Sequence, residues 1–484
     1  MFLAADAWTA HIFDGRWVSG AGGTYEAVEP ATGNVLGVVG AADPADVSRA
    51  ATAAAGAQVD WAARPHDERA AVLRRAGLLF ERHAEEIEGW LVREAGSVPA
   101  KAALEVRFAA AECFEAAALA SHPQGLVLPS AQPRWSFARR RPAGVVAVIA
   151  PFNFPLILSI RSVAPALALG NAVLLKPDPR TAVGGGVVLA RVFEEAGLPA
   201  GVLHLLPGGA ETGAALVEAP EVRIVSFTGS TAAGRRIGET CGRLLKRAHL
   251  ELGGNNALIV LPGADPDKAA AAGAWGSFLH QGQICMTTGR HLVHESLHAD
   301  YVAALAERAD RLPVGDPASK DVALGPIIDE RQLLRIDALV RDTVAAGARL
   351  AAGGSYEGLF YRPTVLADVR PTMPAYADEV FGPVAPVVPF GTVEEAIALA
   401  RDSEYGLSLG ILGDVGLAMR VADAVPTGLV HINDQTVNDE ANAPFGGQAA
   451  SGTGARFGGP HANLDAFTET QWLTVRGDIA PHPF

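Results

Sequence analysis

The segment Gly144–Arg180 reads GVVAVIAPFNFPLILSIRSVAPALALGNAVLLKPDPR, and its pattern predicts a strand, a helix and a second strand. Val145–Ile149 and Ala172–Leu175 are continuous apolar runs, whereas apolar residues three and four apart in Leu156–Leu169 indicate a helix. Strands that are apolar on both faces and joined by helices are typical of a parallel sheet covered on both sides. The segment therefore predicts an α/β fold.

The same alternation extends in both directions from this segment. Residues 45–121 read as a series of helices, and residues 252–450 as a second α/β unit. The other strands and helices predicted in the first unit are Ala182–Ala196, Val202–Leu205, Ile224–Phe227 and Ala232–Leu245. Two strand-like pieces, in residues 121–141 and near Thr470–Arg476, lie outside the alternation, and we hypothesise that they pair in an oligomer interface.

Composition excludes several classes of protein. The 484 residues are 49% hydrophobic and 19% charged, as in a well-packed globular protein of two or three domains. A formal net charge of −14 argues against binding to nucleic acid or to anionic membranes. Three widely spaced cysteines and a start without a signal peptide indicate a cytoplasmic protein. The long apolar run from Gly144 is broken by prolines, which argues against a membrane span.

Ligands of parallel sheets bind beyond the carboxyl ends of the strands, so the turns there are candidate sites. Asn153 lies between two aromatic residues and two prolines in the turn after Ile149. Lys176, one of only five lysines, ends the next strand. Asn153 suits a hydrogen-bond donor aimed at a ligand, or a residue that caps the turn. Lys176 suits a donor to sugar hydroxyls or phosphate, or a surface lysine with a buried stem.

Two further turns carry polar groups. Phe227-Thr-Gly-Ser-Thr-Ala-Ala-Gly234 has glycines five residues apart where a strand meets a helix, a pattern that favours an anion such as a pyrophosphate. Glu251 lies between two leucines and precedes two glycines. Burial raises the pKa of such a carboxylate toward the value that a general base needs, although a paired structural glutamate fits the pattern equally well.

Cys285 lies in the loop Phe278–Arg290, within Gly, Gln and Thr residues rather than in an apolar periodic run. Cys113 and Cys241 lie in helical runs and are interpreted as packing residues. Cys285 is therefore the candidate nucleophile, although a single cysteine is a weak signal. Farther along, Glu379 and Phe381 are two residues apart and face one side of an extended segment.

His294-Glu295-Ser-Leu-His298 matches the H-E-x-x-H pattern of zinc hydrolases. That pattern requires both histidines on one face of a helix. Here the preceding residues read as a strand and the helix is predicted to begin near Ser296, so the motif spans a boundary. We expect no metal site, and a zinc hydrolase is the alternative from a different class.

Seven motifs occur along the chain in a fixed order: Pro151-Phe-Asn-Phe-Pro, Leu175-Lys-Pro, Phe227-Thr-Gly-Ser-Thr, Leu250-Glu-Leu-Gly-Gly-Asn, Gly282-Gln-Ile-Cys, Glu379-Val-Phe-Gly-Pro and Pro444-Phe-Gly-Gly. Together they closely resemble the NAD(P)-dependent aldehyde dehydrogenase superfamily over nearly the whole chain. Within it, the runs from Val173 and Val437 are most similar to benzaldehyde- and vanillin-type dehydrogenases. The resemblance implies oxidation of an aldehyde to a carboxylic acid.

For catalysis, the resemblance implies that the Cys285 thiolate attacks the aldehyde carbon. Asn153 and the Cys285 backbone amide would stabilise the oxyanion, and Glu251 would activate the water that hydrolyses the thioester. A relative that transfers the acyl group to CoA forms the same thioester, but retention of Glu251 favours hydrolysis. A structural relative without catalysis would be expected to lose one of these three residues.

For the cofactor, the resemblance implies that Lys176 and Glu379 hold the riboses, Ser230 the pyrophosphate, and that Phe381 packs near the nicotinamide. The remaining residues assigned to the cofactor site are Phe152, Gly208, Phe227, Gly229 and Gly234. Where many NAD-preferring relatives have an acidic residue, this chain has Pro179 followed by Arg180. We therefore expect NAD as the default cofactor with NADP tolerated. Ala449 replaces a lysine usual in the family, with no derivable consequence.

The resemblance implies a Rossmann-type cofactor domain (1–120 and 142–251), a catalytic domain (252–450) and a β oligomerisation ribbon (121–141 and 465–484), in a homodimer or homotetramer. The residues assigned to the substrate are Phe154, Arg161, Ile284, Met286 and Phe445. They suit an aromatic aldehyde, with an aliphatic aldehyde or a semialdehyde as alternatives. Arg161 is predicted either to contact a polar group of the substrate or to pair with a neighbouring acid.

Overall fold

The computed structural model describes residues 2–484 and contains two seven-stranded sheets. The strands of the first sheet, in the order in which they lie side by side, are Arg247–Glu251, Val222–Thr228, Val145–Ile149, Ala172–Lys176, Leu203–Leu205, His11–Phe13 and Trp17–Ser19. The five from Arg247–Glu251 to Leu203–Leu205 are parallel, and the last two form an antiparallel hairpin at the edge. The predicted α/β class and parallel sheet are confirmed.

The register of this sheet brings the predicted turns to one edge. Ile149 pairs with both Lys176 and Phe227, and Thr228 pairs with Glu251. Each of these residues ends or nearly ends its strand, so the turns that follow open on the same side of the sheet.

Helices cover both faces of the first sheet. Those before and within it are Ala5–Trp8, Pro44–Ala63, His66–Arg82, Ala84–Ala95, Pro99–Leu119, Pro155–Ala168, Val188–Glu195, Ala210–Glu218 and Thr231–Arg243. The helix predicted over residues 182–196 instead begins with a π-helical turn, Val183–Val187. The buried carboxylate of Glu94 accepts hydrogen bonds from Val183 N and Gly184 N (3.0 and 2.7 Å), which holds the wide first turn.

The second sheet has the strand order Arg349–Ala352, Thr364–Ala367, Val384–Phe390, Thr288–His294, Asn256–Val260, Ser408–Leu412 and Leu429–Ile432. All but the edge strand Arg349–Ala352 run parallel to their neighbours. Its helices are Pro266–Phe278, Glu295–Arg311, Glu330–Ala345, Pro374–Ala377, Val393–Arg401 and Val415–Ala424. The chain passes from Glu251, at the carboxyl end of the first sheet, to Asn256, which begins a strand of the second. The candidate site lies at this crossing.

A separate three-stranded sheet consists of Gly125–Val127, Trp135–Pro142 and Thr468–Val475. The last two strands are antiparallel over their full length, from Pro142 paired with Thr468 to Trp135 paired with Val475. We call these three strands the ribbon. Helix Pro460–Phe467 leads into it. The two strand-like pieces therefore pair with each other inside one chain, while their role in assembly stays a prediction. Smaller hairpins complete the fold, including Thr24–Val28 with Val35–Gly40.

The H-E-x-x-H motif spans a boundary, as predicted. His294 ends a strand, and its Nδ1 accepts a hydrogen bond from Ser296 N, so the ring caps the helix Glu295–Arg311. His298 lies beside Asp368. Among the residues that the structure describes, His, Cys, Asp and Glu side chains form no group of three suited to a metal ion. Within residues 2–484, no helix combines the length and hydropathy that a membrane span needs.

Candidate active site

The loop that carries Cys285 has an unusual backbone. His280, Gln281 and Gly282 have positive φ angles of 48°, 56° and 64°. A Cβ atom on Gly282 would lie 2.1 Å from the carbonyl oxygen of Gly382, so only glycine fits there. Gln281 holds the loop in place because its Nε2 donates to the carbonyl oxygens of Gly96 and Pro326. Strain of this kind is typical of functional loops.

The carbonyl side of Cys285 is fixed by the second sheet. Asn256 Nδ2 donates to the carbonyl oxygens of Cys285 and Thr287, at 2.8 and 2.7 Å. All three cysteines are free thiols, and Cys113 and Cys241 are buried in the cores, as interpreted from the sequence. Cys285 is partly exposed. The surrounding protein removes water from the thiol group itself. This desolvation, together with the negative charges of Glu379 and Glu251, raises the pKa of the Cys285 thiol to about 12. The thiol therefore needs a base to become a nucleophile.

Glu251 provides a candidate base. Its side chain is buried, Oε2 accepts a hydrogen bond from Gly447 N (3.1 Å), and Oε1 has no partner among residues 2–484. Burial raises the pKa of Glu251 to about 8, although Gly447 N–H, Arg161 and Arg456 each oppose that rise. A carboxyl group with one free oxygen and a pKa near neutrality suits proton transfer.

Asn153 is buried in the turn before helix Pro155–Ala168. Its Nδ2 donates to the carbonyl oxygen of Gln283 at 2.8 Å, two residues before Cys285. Gln283 is itself held because its Oε1 accepts from Ile328 N. The amide is therefore directed at the cysteine loop, and its second N–H is suited to an oxygen on a substrate bound at Cys285.

An apolar cluster surrounds Cys285. Its members are Ile284, Met286, Leu407 and Phe445, with Phe154, Leu279, Leu429 and Val437 partly buried around them. Four of the five residues assigned to the substrate from sequence therefore come together beside the thiol. We call this group the apolar cluster. Its two aromatic side chains suit an aryl group.

Arg161, the fifth, lies against the same cluster. Its guanidinium carbon is 4.3 Å from the centre of the Phe445 ring, and Nη2 pairs with Asp439. Nε and Nη1 have no hydrogen-bond partner within the described chain, although the side chain is buried. Arg161 thus pairs with an acid and still has donors for a ligand. Glu112 is buried nearby, and burial raises its pKa to about 8 against the opposing charge of Arg161.

Most of the residues assigned to the dinucleotide lie along the carboxyl edge of the first sheet, whereas Glu379 and Phe381 precede strand Val384–Phe390 of the second sheet. Lys176 is buried at the end of its strand, and its Nζ donates to Pro177 O at 3.2 Å. Gly208 is buried in the turn after strand Leu203–Leu205, and Phe227 is buried near the end of strand Val222–Thr228. Ser230 caps helix Thr231–Arg243, whose first-turn amides suit a phosphate.

The backbone amides of the two glycines around Ser230 donate to other backbone groups of the protein. Gly229 N donates to Glu251 O (3.0 Å), and Gly234 N donates to Ser230 O (2.9 Å), so neither amide is free for an anion in this arrangement. A Cβ atom on Gly234 would lie 2.2 Å from Leu252 Cδ2. Gly234 therefore permits close packing of the helix on the sheet.

Three aromatic and charged groups meet between the sheets. Phe152 and Phe381 pack edge to face, with ring centres 6.0 Å apart. Arg180 stacks on Phe152 at 4.3 Å and pairs with Asp178 and Asp329. Arg180 is therefore engaged in ion pairs.

Glu379 accepts a hydrogen bond from Gly254 N at 2.9 Å, and burial raises the pKa of Glu379 to about 7.

Sequence reasoning missed several residues of this site. Asp439, Glu112, Leu407, Val437 and Asn256 come from elements far apart in the chain. The nearest available signal was the position of Asp439 five residues before Pro444 of the Pro-Phe-Gly-Gly motif. No local pattern marks Glu112, which lies in an Ala-rich helix.

Residues 17–473 match the Aldehyde dehydrogenase family. The chain belongs to this family. It is 65% identical to vanillin dehydrogenase of Amycolatopsis sp. strain ATCC 39116 over 484 residues, all of both chains. It is 50% identical to benzaldehyde dehydrogenase [NAD(+)] of Pseudomonas putida, over 99% of this chain and 98% of the relative.

A solved relative agrees with this assignment. The crystal structure of a salicylaldehyde dehydrogenase from Pseudomonas putida G7, complexed with salicylaldehyde, matches this aldehyde dehydrogenase with a TM-score of 0.95 and 36% identity, covering 98% of this chain and 99% of that one. The protein is thus an oxidoreductase that acts on aldehydes with an NAD-type cofactor. The fold predicted from the motifs is confirmed.

Proposed function

We propose that this aldehyde dehydrogenase oxidises an aromatic aldehyde, of the benzaldehyde or vanillin type, to the carboxylic acid. The observation that carries the proposal is the apolar cluster beside Cys285, which includes Phe154 and Phe445 and has the unpaired donors of Arg161 against it. The relatives named for vanillin and benzaldehyde, and the neighbour complexed with salicylaldehyde, support the same substrate class.

In the proposed reaction, the Cys285 thiolate forms a carbon–sulfur bond with the aldehyde carbon, and the carbonyl oxygen becomes an oxyanion. The Asn153 amide and the Cys285 backbone N–H donate to that oxygen, and one such donor is typically worth about 100- to 1000-fold in rate. A nicotinamide cofactor held by Lys176, Glu379 and Ser230 would supply the acceptor for the hydride of that carbon. A thioester then remains on Cys285.

Glu251 takes part in two proton transfers in this proposal. Glu251 lies close enough to Cys285 for its charge to act on the thiol, and its Oε1 has no hydrogen-bond partner within the described chain, so the Glu251 carboxylate is the group suited to accept the thiol proton. After Glu251 has released that proton to solvent, it accepts a second proton from the water that attacks the thioester. The carbon–sulfur bond then breaks, which releases the carboxylic acid and restores the Cys285 thiolate.

We assign the cofactor to the carboxyl edge of the first sheet. Lys176 and Glu379 would hold the two riboses, Ser230 the pyrophosphate, and Phe381 with Phe152 would lie near the nicotinamide. The buried Lys176 ammonium, whose hydrogen bond is to the adjacent carbonyl of Pro177, has donors left for ribose hydroxyls, which supports the assignment. The rest of the proposed cofactor site would be lined by Gly208, Phe227, Gly229 and Gly234.

We further propose that NADP is tolerated beside NAD. The support is Pro179, which offers no carboxylate to repel a 2′-phosphate at the third position after Lys176. Arg180 contributes less than its charge suggests, because Asp178 and Asp329 already neutralise it.

The substrate class is tested by following NAD(P)H formation spectrophotometrically with benzaldehyde, vanillin, hexanal and succinic semialdehyde. The expected result is a kcat/KM at least about tenfold higher for the two aromatic aldehydes, which corresponds to about 1.4 kcal/mol. A preference for hexanal would contradict the proposal. A preference for succinic semialdehyde would favour the second candidate, a semialdehyde dehydrogenase, which the free donors of Arg161 also suit.

We also propose a homodimer or homotetramer assembled through the ribbon. Leu126 and Val127 on its edge strand are 68% and 67% exposed, and Trp135 and Trp472 are exposed as well. Exposed apolar groups of this density favour a protein partner. Three free thiols favour the cytoplasm as the proposed location.

A further inference from the structure

An ion pair lies under the Asn153 turn, outside the residues that perform the chemistry. Lys101 and Glu105 are one turn apart on helix Pro99–Leu119, and both side chains are 0% exposed. Taking two charges out of water is costly, so a buried ion pair is weak evidence for stability. The contacts of each partner indicate what the pair does instead.

Lys101 contacts the turn on one side. Its Nζ donates to the carbonyl oxygen of Asn153 at 2.7 Å and to Ser97 Oγ at 3.0 Å, besides its contact with Glu105. The same ammonium lies 4.2 Å from the centre of the Phe154 ring. One buried cation therefore contacts two successive residues, the proposed oxyanion donor and an aromatic residue of the apolar cluster.

Glu105 contacts the turn on the other side. Its Oε2 accepts hydrogen bonds from Leu156 N and Ile157 N, at 3.1 and 3.3 Å. These are first-turn amides of helix Pro155–Ala168, which have no partner within the helix. The helix has no side-chain cap of its own at Phe154, so Glu105 supplies from another element the acceptor that a cap would provide.

We propose that Lys101 and Glu105 are positioning residues that fix the Asn153 turn, and with it the direction of the Asn153 amide toward the oxyanion. The backbone on both sides of Asn153 is anchored, at its own carbonyl and at the amides three and four residues on. The side chain is then aligned by its bond to Gln283 O. This inference rests on the proposed role of Asn153. Displacement of an oxyanion donor by even one ångström costs about 100-fold in rate.

The test uses a charge-free replacement. The double variant Lys101→Met with Glu105→Gln removes both charges, roughly preserves volume and keeps an acceptor for Leu156 N and Ile157 N. With benzaldehyde and saturating NAD, we expect kcat to fall by about 10- to 100-fold, while KM for NAD stays within about twofold. The matched control is Arg107→Met, a basic residue on the exposed face of the same helix, whose kcat should be unchanged.

A comparison with Asn153→Ala separates positioning from a general structural role. If Lys101 and Glu105 act through Asn153, the triple variant should have the kcat of Asn153→Ala alone, within about twofold, because interacting residues give non-additive effects. Losses that multiply in the triple variant would overturn the inference. If Asn153→Ala itself keeps full kcat, the proposed site is wrong. If only the Lys101/Glu105 variant keeps full kcat, this inference alone is wrong.

A milder variant covers the case in which the double variant does not fold. Ser97→Ala removes one hydrogen bond of the Lys101 ammonium and no charge. It should lower kcat by about two- to fivefold with KM for NAD unchanged, because the ammonium loses one hydrogen bond but keeps its contacts with Asn153 O and Glu105. In this milder variant, a kcat equal to that of the wild type would contradict positioning by Lys101.

Discussion

The guanidinium carbon of Arg161 lies 4.3 Å from the centre of the Phe445 ring, so a buried cation lies at the edge of the apolar cluster beside Cys285. Because Asp439 takes only one of its terminal nitrogens, Arg161 keeps donors on Nε and Nη1 within the described chain. A polar substituent on an aromatic ring that reaches this edge would find a charged donor, whereas an unsubstituted ring would not need one.

Arg161 is therefore expected to determine preference among aromatic aldehydes. The variant Arg161→Met with Asp439→Asn removes both charges and leaves neither partner buried alone. We expect KM for hydroxylated or carboxylated benzaldehydes to rise by roughly 10- to 100-fold, the value of a hydrogen bond to a charged group. Benzaldehyde serves as the internal control and should change less than about twofold. Equal changes for all substrates would show that Arg161 does not contact the substrate.

The pH dependence of turnover is expected to follow Glu251. Its pKa is raised to about 8 by burial, and the base form exists above that value, so kcat should fall as the pH decreases below about 8. The positive charge of Arg456 lowers this pKa, and Arg456 also donates to Gly447 O beside the N–H that Glu251 accepts. Arg456→Met should therefore move the profile to higher pH. Arg476→Met, on the exposed C-terminal segment, is the control, and a shift to lower pH would contradict this account.

Cofactor preference is expected to depend on position 179. Pro179→Glu introduces a carboxylate at the position where it would repel a 2′-phosphate. We expect kcat/KM with NADP to fall by about tenfold or more, with NAD affected less than about twofold. The measurement is the ratio of the two kcat/KM values. A wild-type preference for NAD above about a thousandfold, near 4 kcal/mol, would rule out the proposed tolerance of NADP.

The ribbon is expected to hold the oligomer together. Leu126→Asp with Val127→Asp places two charges on its exposed edge strand, where burial in an interface would be costly. Light scattering should then report a smaller particle than the wild type. Val59→Asp, at an equally exposed apolar position on helix Pro44–Ala63, is the control and should leave the size unchanged. An unchanged particle in the ribbon variant would place the interface elsewhere.

The sequence predicted the regular part of this protein because periodicity is a local property. The strands from Val145 and Ala172 and the helix after Pro155 lie within one or two residues of their predicted bounds. The exception is residues 183–187, where a carboxylate distant in sequence, Glu94, holds a π-helical turn. Contacts between elements far apart in the chain leave no periodic signal.

The same reasoning explains which parts of the site could be predicted. Cys285, Glu251 and Asn153 belong to distinctive short motifs, so sequence indicated them. Lys101 and Glu105 lie in an Ala-rich helix, where no local pattern marks them. Their proposed role depends on contacts that form only when that helix packs beneath the Asn153 turn. For Arg180, the sequence indicated a residue beside the cofactor but not its partners. Its ion pairs with Asp178 and Asp329 could not be predicted from its position beside Pro179.

The central claim is that Cys285 carries the acyl group, and Glu251→Gln allows that group to be observed. Because solvent must then take the thiol proton, this variant should form the thioester more slowly than the wild type, and it should hydrolyse the thioester more slowly still, because no base activates the water. After mixing with benzaldehyde and NAD, intact-mass and peptide-level mass spectrometry should find a benzoyl group on the peptide that contains Cys285. The variant that also has Cys285→Ala should carry none. A benzoyl group on another residue, or full turnover by Cys285→Ala alone, would contradict the account.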